Sequence, residues 1–395
     1  MSPLTIGMSC LVIGSGWHPA LFRAEIKELS IPYEVREVCD SSRIVSIDLE
    51  ELDSKSKLFL QLSRSATMDE LLFPSGWIRV LDLPNQENIQ VSLIKYISDW
   101  IISKLEKIGK DSIAVRWERI DGGIESVESS VLAGYLGSIF VENGWKVDLE
   151  NPSTELMVIF DGSCDIVCWG FRKISYPPRT GWKERVATER PFFKPISLDP
   201  ILAKVMVNLA GIISPNDGHL CDPMCGTGGI LMEAALMHVP YIGIDFDREM
   251  ISGSKTNLEW ILEKENVKKE LGLVEYGNAV ELTDVFRKLP NLDISAFAFD
   301  PPYGRNSWQS EKEGSLLSSV LNSCSKLVSS KNNVKLMCVL PWESLKNQNN
   351  GEIISSNTWI KIKEMFEKSN WRIVDKFSIH VHSSMSRLLI RATNI

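Results

Sequence analysis

The chain has 395 residues, enough for two or three domains, and its 44% apolar and 24% charged residues are the balance of an ordinary globular protein. No apolar run approaches the ~20 residues that a membrane-crossing helix needs, so no membrane role is expected. A formal net charge of −8 argues against a broad nucleic-acid surface, because the phosphate backbone rewards Lys and Arg, and leaves only a local basic patch to recruit such a partner.

Residues 1–170 mix short strand patterns with helical ones. The start, MSPLTIGMSCLVIGSGWHP, lacks a basic leader region and reads as a first strand rather than a signal peptide. CLVIGSG and SRIVSIDLE predict strands, and HPALFRAEIKEL predicts a helix with Leu21, Ile26 and Leu29 inward. VSLIKYISDWIISKLEKIG predicts a longer amphipathic helix, SIAVRWERI a strand, and SSVLAGYLGSIFVENG a helix that stops at Gly144. VDLENP and LMVIFDG predict further strands, giving an irregular α+β order. The eight cysteines are scattered and no pair repeats at zinc-ligand spacing, so reduced cytosolic thiols and no metal site are expected.

Prolines and a glycine break the next stretch, FRKISYPPRTGWKERVATERPFFKP, which predicts a linker over 171–190. Between Arg172 and Lys194 it carries seven basic and two acidic residues. On charge alone, a solvated connection is slightly favoured over a phosphate-binding segment.

From Leu198 onward, strand, turn and helix alternate. DPILAKVMVNLAGII is a helix, HLCDPM a strand, ILMEAALM a helix and YIGIDFD a strand. REMISGSKTNLEWIL is a helix capped at Asp247, and LVEYGNA, SAFAFD and KLMCVLPW are strands. WRIVDKFSIHVH and SRLLIRATNI predict a closing hairpin. The pattern implies a doubly wound, largely parallel α/β sheet with an antiparallel C-terminal edge.

Ligands of such sheets sit beyond the carboxyl ends of the strands, and three predicted strands end in an acid: Asp222, Asp245 and Asp300. After Asp222, Gly226, Gly228 and Gly229 form a turn that lets backbone approach a ligand, although G-x-G-x-x-G is absent. Asp245 ends the next strand at the spacing where an acid accepts ribose hydroxyls. After Asp300, Pro301 and Pro302 donate no ladder hydrogen bond and fix the backbone, which aims the carboxylate and the Pro301 carbonyl outward. With Tyr303 and Gly304 beside them, these two acceptors suit a planar guest that carries an amino group.

The runs DPMCGTGG, GID and DPPYG together resemble the class I methyltransferases that use S-adenosylmethionine and methylate amino nitrogens. RPFFKPISLDPILAKVMVNLAG and VHSSMSRLLI resemble segments of tRNA guanosine N2-methyltransferases, in particular the archaeal THUMP-domain enzymes acting on guanosine 10. Residues 1–170 are similar to a ferredoxin-like segment and a THUMP domain. The resemblance thus implies a Rossmann-like methyltransferase domain over 191–395. It implies Asp300, Pro301, Pro302 and Tyr303 as catalytic, and Phe193, Asp222, Pro223, Cys225, Gly226, Thr227, Gly228, Asp245, Phe246, Asn278, Ala279 and Asp300 as cofactor-binding. Asn278 stands where the family usually has Asp, and its carbonyl can still accept from an adenine amine.

With tRNA as the implied partner, phosphate contact becomes the better reading of the linker, through Arg172, Lys173, Arg179, Lys183 and Arg185. A cytoplasmic monomer is expected, and a helper subunit is compatible with it. The alternatives are an N6-adenine methyltransferase, whose chemistry also uses D-P-P-Y, and a catalytically silent RNA-binding scaffold. One methyl group or two would equally fit the residues.

Overall fold

The computed structural model describes residues 9–39, 43–108, 111–175, 182–195, 197–212, 214–267, 271–289, 292–302, 311–342, 356–382 and 385–395. The chain divides into two compact units, Met1–Ser63 with Thr67–Pro178, and Arg64–Ala66 with Arg179–Ile395.

In chain order, the first unit contains β1 (Ser9–Gly14), α1 (Pro19–Leu29), β2 (Val35–Glu37), β3 (Ile44–Asp48), α2 (Lys57–Leu62) and β4 (Met68–Arg79). Then follow α3 (Ile89–Lys104), β5 (Ser112–Ile120), α4 (Ser129–Glu142), β6 (Lys146–Val147), β7 (Thr154–Asp161) and β8 (Ile166–Ser175). The helices begin where polar side chains take up orphan backbone N–H groups. Nδ1 of His18 accepts from the Leu21 N–H at 3.1 Å, and Asn88 accepts from that of Val91 at 3.1 Å. The strands form one mixed sheet in the order β2-β3-β1-β4-β8-β7-β5-β6.

β4 joins the two halves of this sheet, pairing with β1 on one side and β8 on the other. The ladder to β8 shifts register between Leu72 and Ser75, which is where Pro74, lacking an N–H, is accommodated. β7 is buried on both faces. Leu156, Val158 and Phe160 meet the cluster that includes Leu93 and Ile97 of α3 and Leu132 and Leu136 of α4, while Met157 and Ile159 join Leu11, Ile13 and Leu72 in a second cluster. Cys39 and Cys164 pack against that second cluster and are joined as a disulfide. The expectation of eight separate thiols therefore fails for this pair: sheet formation brings together cysteines 125 residues apart. Of the predicted strand VDLENP only Val147 lies in a strand, at the end of β6, and residues 171–175, expected in the linker, complete β8.

The second unit contains α5 (Pro200–Leu209), β9 (His219–Asp222), α6 (Gly229–Leu236), β10 (Tyr241–Asp245), α7 (Arg248–Lys264), β11 (Gly272–Tyr276) and α8 (Leu282–Phe286). It continues with β12 (Ile294–Phe299), α9 (Glu311–Leu327), β13 (Lys335–Trp342), α10 (Asn357–Lys368), β14 (Trp371–His382) and β15 (Met385–Asn394). Its sheet order is β11-β10-β9-β12-β13-β15-β14. The strands from β9 to β13 pair in parallel. The predicted C-terminal hairpin forms, but it is not a simple antiparallel edge. β15 pairs antiparallel with both β13 and β14, so the reversed strand lies inside the sheet and β14 takes the edge.

Alternation along β12 sends Phe297 and Phe299 into a core with Val320, Leu321 and Cys324 of α9 and Trp359, Ile362 and Phe366 of α10. Trp371 seals it, its indole N–H donating to the Leu321 carbonyl at 2.9 Å. α5, α6 and α7 pack in sequence as a separate helical layer.

Candidate active site

Strand order reverses between β9 and β12: β9 continues to β10 on one side and meets β12 on the other. In a doubly wound sheet this switch point opens a crevice at the carboxyl ends. Asp222 ends β9, Asp245 ends β10, and Asp300 follows the last residue of β12. Parallel pairing, with Cys221 opposite both Ile242 and Phe297, puts all three acids at one edge of the sheet.

Each acid is held differently. Asp222 is buried, and its Oδ1 accepts from the Met224 N–H at 3.1 Å. Burial pushes its carboxyl well above the usual carboxylate range, and the charges of Asp245 and Asp300 add to the shift. Asp222 thus senses both of the other acids. Asp245 accepts from the Gly226 N–H through Oδ2 and from the Asp247 N–H through Oδ1, both at 2.9 Å. A carboxylate has about four lone-pair sites, so two remain for a ligand. Asp247 takes the capping task expected of it, accepting from the Glu249 N–H at 2.8 Å. Asp300 is half-buried, Pro301 is buried and Pro302 is exposed.

The glycine turn is closed by backbone bonds from Cys225 N to Ile244 O at 2.9 Å and from Gly228 N to Cys225 O at 2.8 Å. Gly226 and Gly228 have φ of 51° and 78°, a left-handed conformation that side chains disfavour. A Cβ on Gly226 would meet nothing within 4 Å, so the turn borders open space there. Pro223, Cys225 and Thr227 are buried within it. Burial raises the Cys221 and Cys225 thiols well above their ordinary pKa, so neither is a thiolate nucleophile.

Of the remaining predicted cofactor residues, Phe246 follows β10, Asn278 and Ala279 follow β11, and Phe193 precedes α5. Phe246, directly after β10, is exposed, and so is Phe193. Ala279 is buried, and Asn278 is exposed with its Oδ1 accepting from the Val280 N–H at 3.2 Å. Tyr303 and Gly304 lie outside the described residues, as does Arg179.

Two of the basic residues assigned to phosphate contact are engaged within the protein. Arg172 pairs with Glu70 at 2.8 Å and Glu155 at 2.6 Å, and Arg185 pairs with buried Glu233 at 2.8 Å. Their guanidinium groups face carboxylates at short range.

Asn257 was not predicted. It is fully buried on α7, and its Nδ2 donates to the carbonyls of Phe192 and Thr227, both at 2.9 Å. It thereby ties the segment before α5 to the glycine turn. Gly253, one turn earlier, carries the Phe192 ring where a side chain would otherwise stand. The available signal was a run of small or polar residues, Gly253, Ser254 and Asn257, on the buried face of an otherwise amphipathic helix.

A Rossmann-like sheet with this strand order, a glycine turn at the switch point and acids on three adjacent strand ends defines a class I methyltransferase. The family model described as RMKL-like, methyltransferase domain, matches residues 188–371. The chain is 30% identical over 300 residues to a tRNA (guanine(10)-N2)-dimethyltransferase of Methanothermobacter thermautotrophicus, covering 75% of this chain and 78% of that protein. It is 29% identical over 282 residues to the enzyme of the same name from Pyrococcus abyssi, covering 71% and 74%. The chain belongs to this tRNA guanosine-10 N2-methyltransferase family. TrmN from Thermus thermophilus has a similar fold, with a TM-score of 0.50 and 17% identity over 98% of this chain and 100% of that one.

Proposed function

We propose that the protein transfers methyl groups from S-adenosylmethionine to the exocyclic N2 of a guanosine in tRNA, the one at position 10. The observation that carries this reading is the meeting of Asp222, Asp245 and Asp300 at the switch point of a chain in that family.

The residues fit the cofactor. The open side of the turn at Gly226 admits a ligand against backbone, and the fixed carboxylate of Asp245 keeps lone pairs for ribose hydroxyls. Asn278, Phe246 and Phe193 would bound the adenine. When bound, the cofactor supplies an electrophilic methyl group.

The protein's share of the chemistry is placement. A guanine N2 lone pair is delocalised into the ring and is a poor nucleophile. Hydrogen bonds from the amine to the Asp300 carboxylate and the Pro301 carbonyl would restore pyramidal character and aim the lone pair. Such orientation and preorganised dipoles supply most of the acceleration, and Asp300 accepts the proton. The target base lies in a stem and must leave it to enter the crevice. We assign its recognition to the first unit, read as a ferredoxin-like and THUMP region, with Lys173 of that unit, and Lys183 of the second unit, contacting phosphates.

Nucleoside mass spectrometry of tRNA transcripts treated with protein and cofactor tests the reading. N2-methylguanosine or its dimethyl form is expected, and it disappears when position 10 is changed to adenosine. Asp300→Asn should slow transfer by about 10²–10³-fold. N6-methyladenosine as the product, or no product from a cofactor-binding protein, would overturn it.

A further inference from the structure

One edge of the first sheet is left open along β5. β7 pairs with β5 without a break from Ile113 to Ile120, whereas β6 pairs with it only at Ser112 and Ile113. The Asp148 N–H donates to the Ile113 carbonyl at 3.1 Å on the β6 side. Backbone groups alternate in direction along a strand, so Val115, Trp117 and Arg119 also turn N–H and C=O to that side. Beyond Ile113 no strand among the described residues takes them up. Such an edge is usually blunted by proline, a bulge or a covering element. Residues 114–119 contain no proline, and their register with β7 is unbroken.

The surface beside that edge is apolar. Trp117 is 44% exposed. α4 runs along the same face of β5 in the opposite direction. Arg119 donates to Ser129 Oγ at 2.9 Å and to the Val127 carbonyl at 2.7 Å, while Val115 Cγ2 lies 3.9 Å from the place of a Cβ on Gly137. A solvated helix face normally carries charges. α4 has none between Ser129 and Val141, and Val131, Tyr135 and Val141 are exposed on it. Gly134 is exposed with them, and a Cβ there would meet nothing within 4 Å. A neutral face of this kind beside an open edge marks an interaction surface.

We infer that this edge pairs with the β5 edge of a second copy of the chain, antiparallel about a two-fold axis at Trp117. Residues 115–119, V-R-W-E-R, are self-complementary in that register. Trp117 meets its own copy as a hydrogen-bonded pair, Val115 exchanges bonds with Arg119, and Arg116 falls opposite Glu118 in both directions. Arg116 keeps 37% of its side chain exposed although its Nε pairs with Glu155 at 3.0 Å. Glu118 is exposed, with no ion pair among the described residues. Sliding the register by two residues either way would set Arg116 against Arg116 or Glu118 against Glu118, so charge selects the two-fold at Trp117. RNA is not the occupant assigned, because α4 offers no cation to phosphates. A dimer departs from the monomer expected of the sequence, since the open edge exists only once β5 has its place in the sheet.

Sedimentation across a concentration series tests this, with a melting curve for each variant. The wild type should reach the mass of two chains. Trp117→Lys should weaken the dimer by about 30-fold, the effect of losing a central aromatic anchor. Glu118→Arg sets like charges opposite each other twice and should weaken it by about 10-fold. It is also the deciding variant should Trp117→Lys fail to fold. Cysteine substitution reads the register directly, because the six free cysteines of the chain are buried. Trp117→Cys brings two thiols together with Cα atoms about 5.5 Å apart, within disulfide reach, and should cross-link under mild oxidation. Glu118→Cys leaves them about 7–8 Å apart and should not.

Wild-type protein that keeps the mass of one chain throughout the series would overturn the assignment. So would a dimer that neither substitution weakens in variants that melt like the wild type. Monomeric protein in which Trp117→Lys lowers tRNA affinity would overturn it too, and would make the edge an RNA platform. Equal cross-linking from both cysteine positions would refute the two-fold at Trp117.

Discussion

Asn257 of α7 grips the backbone of Phe192 at both ends, its Oδ1 accepting from the Phe192 N–H at 2.9 Å and its Nδ2 donating to the Phe192 carbonyl at 2.9 Å. A third bond, to the Thr227 carbonyl, fixes the glycine turn to the same side chain. Asn257→Leu preserves volume but leaves these groups unpaired in a fully buried place. A buried polar group left unpaired costs about 1–3 kcal/mol, so a loss of about 2–4 kcal/mol is expected in denaturant unfolding followed by a probe in the second unit. An unchanged midpoint would show that the clamp is not needed.

Gly253→Ala tests the other side of that contact. A methyl group there overlaps the Phe192 ring, so the ring must move or the helix must shift. Overpacking of this kind costs about 1–3 kcal/mol. Displacing Phe192 also disturbs its neighbour Phe193, so affinity for S-adenosylhomocysteine, read by calorimetry, should fall together with stability.

Asp222 predicts a pH dependence. Its folded-state pKa is raised, so ionising it costs folding free energy. That cost is absent below the unfolded value of about 3.9 and grows as pH rises toward the folded pKa. Asp222→Asn removes the titration and keeps an oxygen for the Met224 N–H. The variant should match the wild type in melting temperature near pH 4 and exceed it at pH 8. A gain that is constant across this range would show that the charge is not its source.

Arg172 and Lys183 separate structural from electrostatic roles. Arg172→Met takes the guanidinium away from Glu70 and Glu155, both largely shielded, while Glu155 keeps its pair with Arg116 at 3.0 Å, and should destabilise the first unit by about 1–3 kcal/mol. Lys183→Glu reverses a charge and should leave the melting temperature in place. It should weaken tRNA binding and flatten its salt dependence by about one to two phosphate contacts. Filter binding across a salt series, with a melting curve for each variant, distinguishes the two effects.

Much of the second unit was legible because its elements are local and periodic. Asp247 announces α7 as its cap, and β9, β10 and β12 are short apolar runs punctuated by acids. β4 was not legible. Pro74 and Gly76 break its strand pattern, and only pairing with β1 and β8, which have their own residues far away in the chain, makes it a central strand. α9 and α10 were passed over as well, although Ser356 caps α10 in the expected manner. The basic segment illustrates the same limit: its charges could be counted, but not the carboxylates, Glu70, Glu155 and Glu233, that take up two of them.

By itself the sequence determined the chemistry available at the strand ends: Asp222, Asp245 and Asp300, a glycine turn and the Pro301–Pro302 stop, all set by residue identity and near neighbours. The tertiary structure alone decided which of these groups share one edge, which cations meet carboxylates, and which side chain binds the approach segment to the turn. Those outcomes depend on pairings between residues tens to a hundred or more positions apart. The physical reason is that burial and electrostatic fields act through space, whereas caps, turns and periodicity act along the chain.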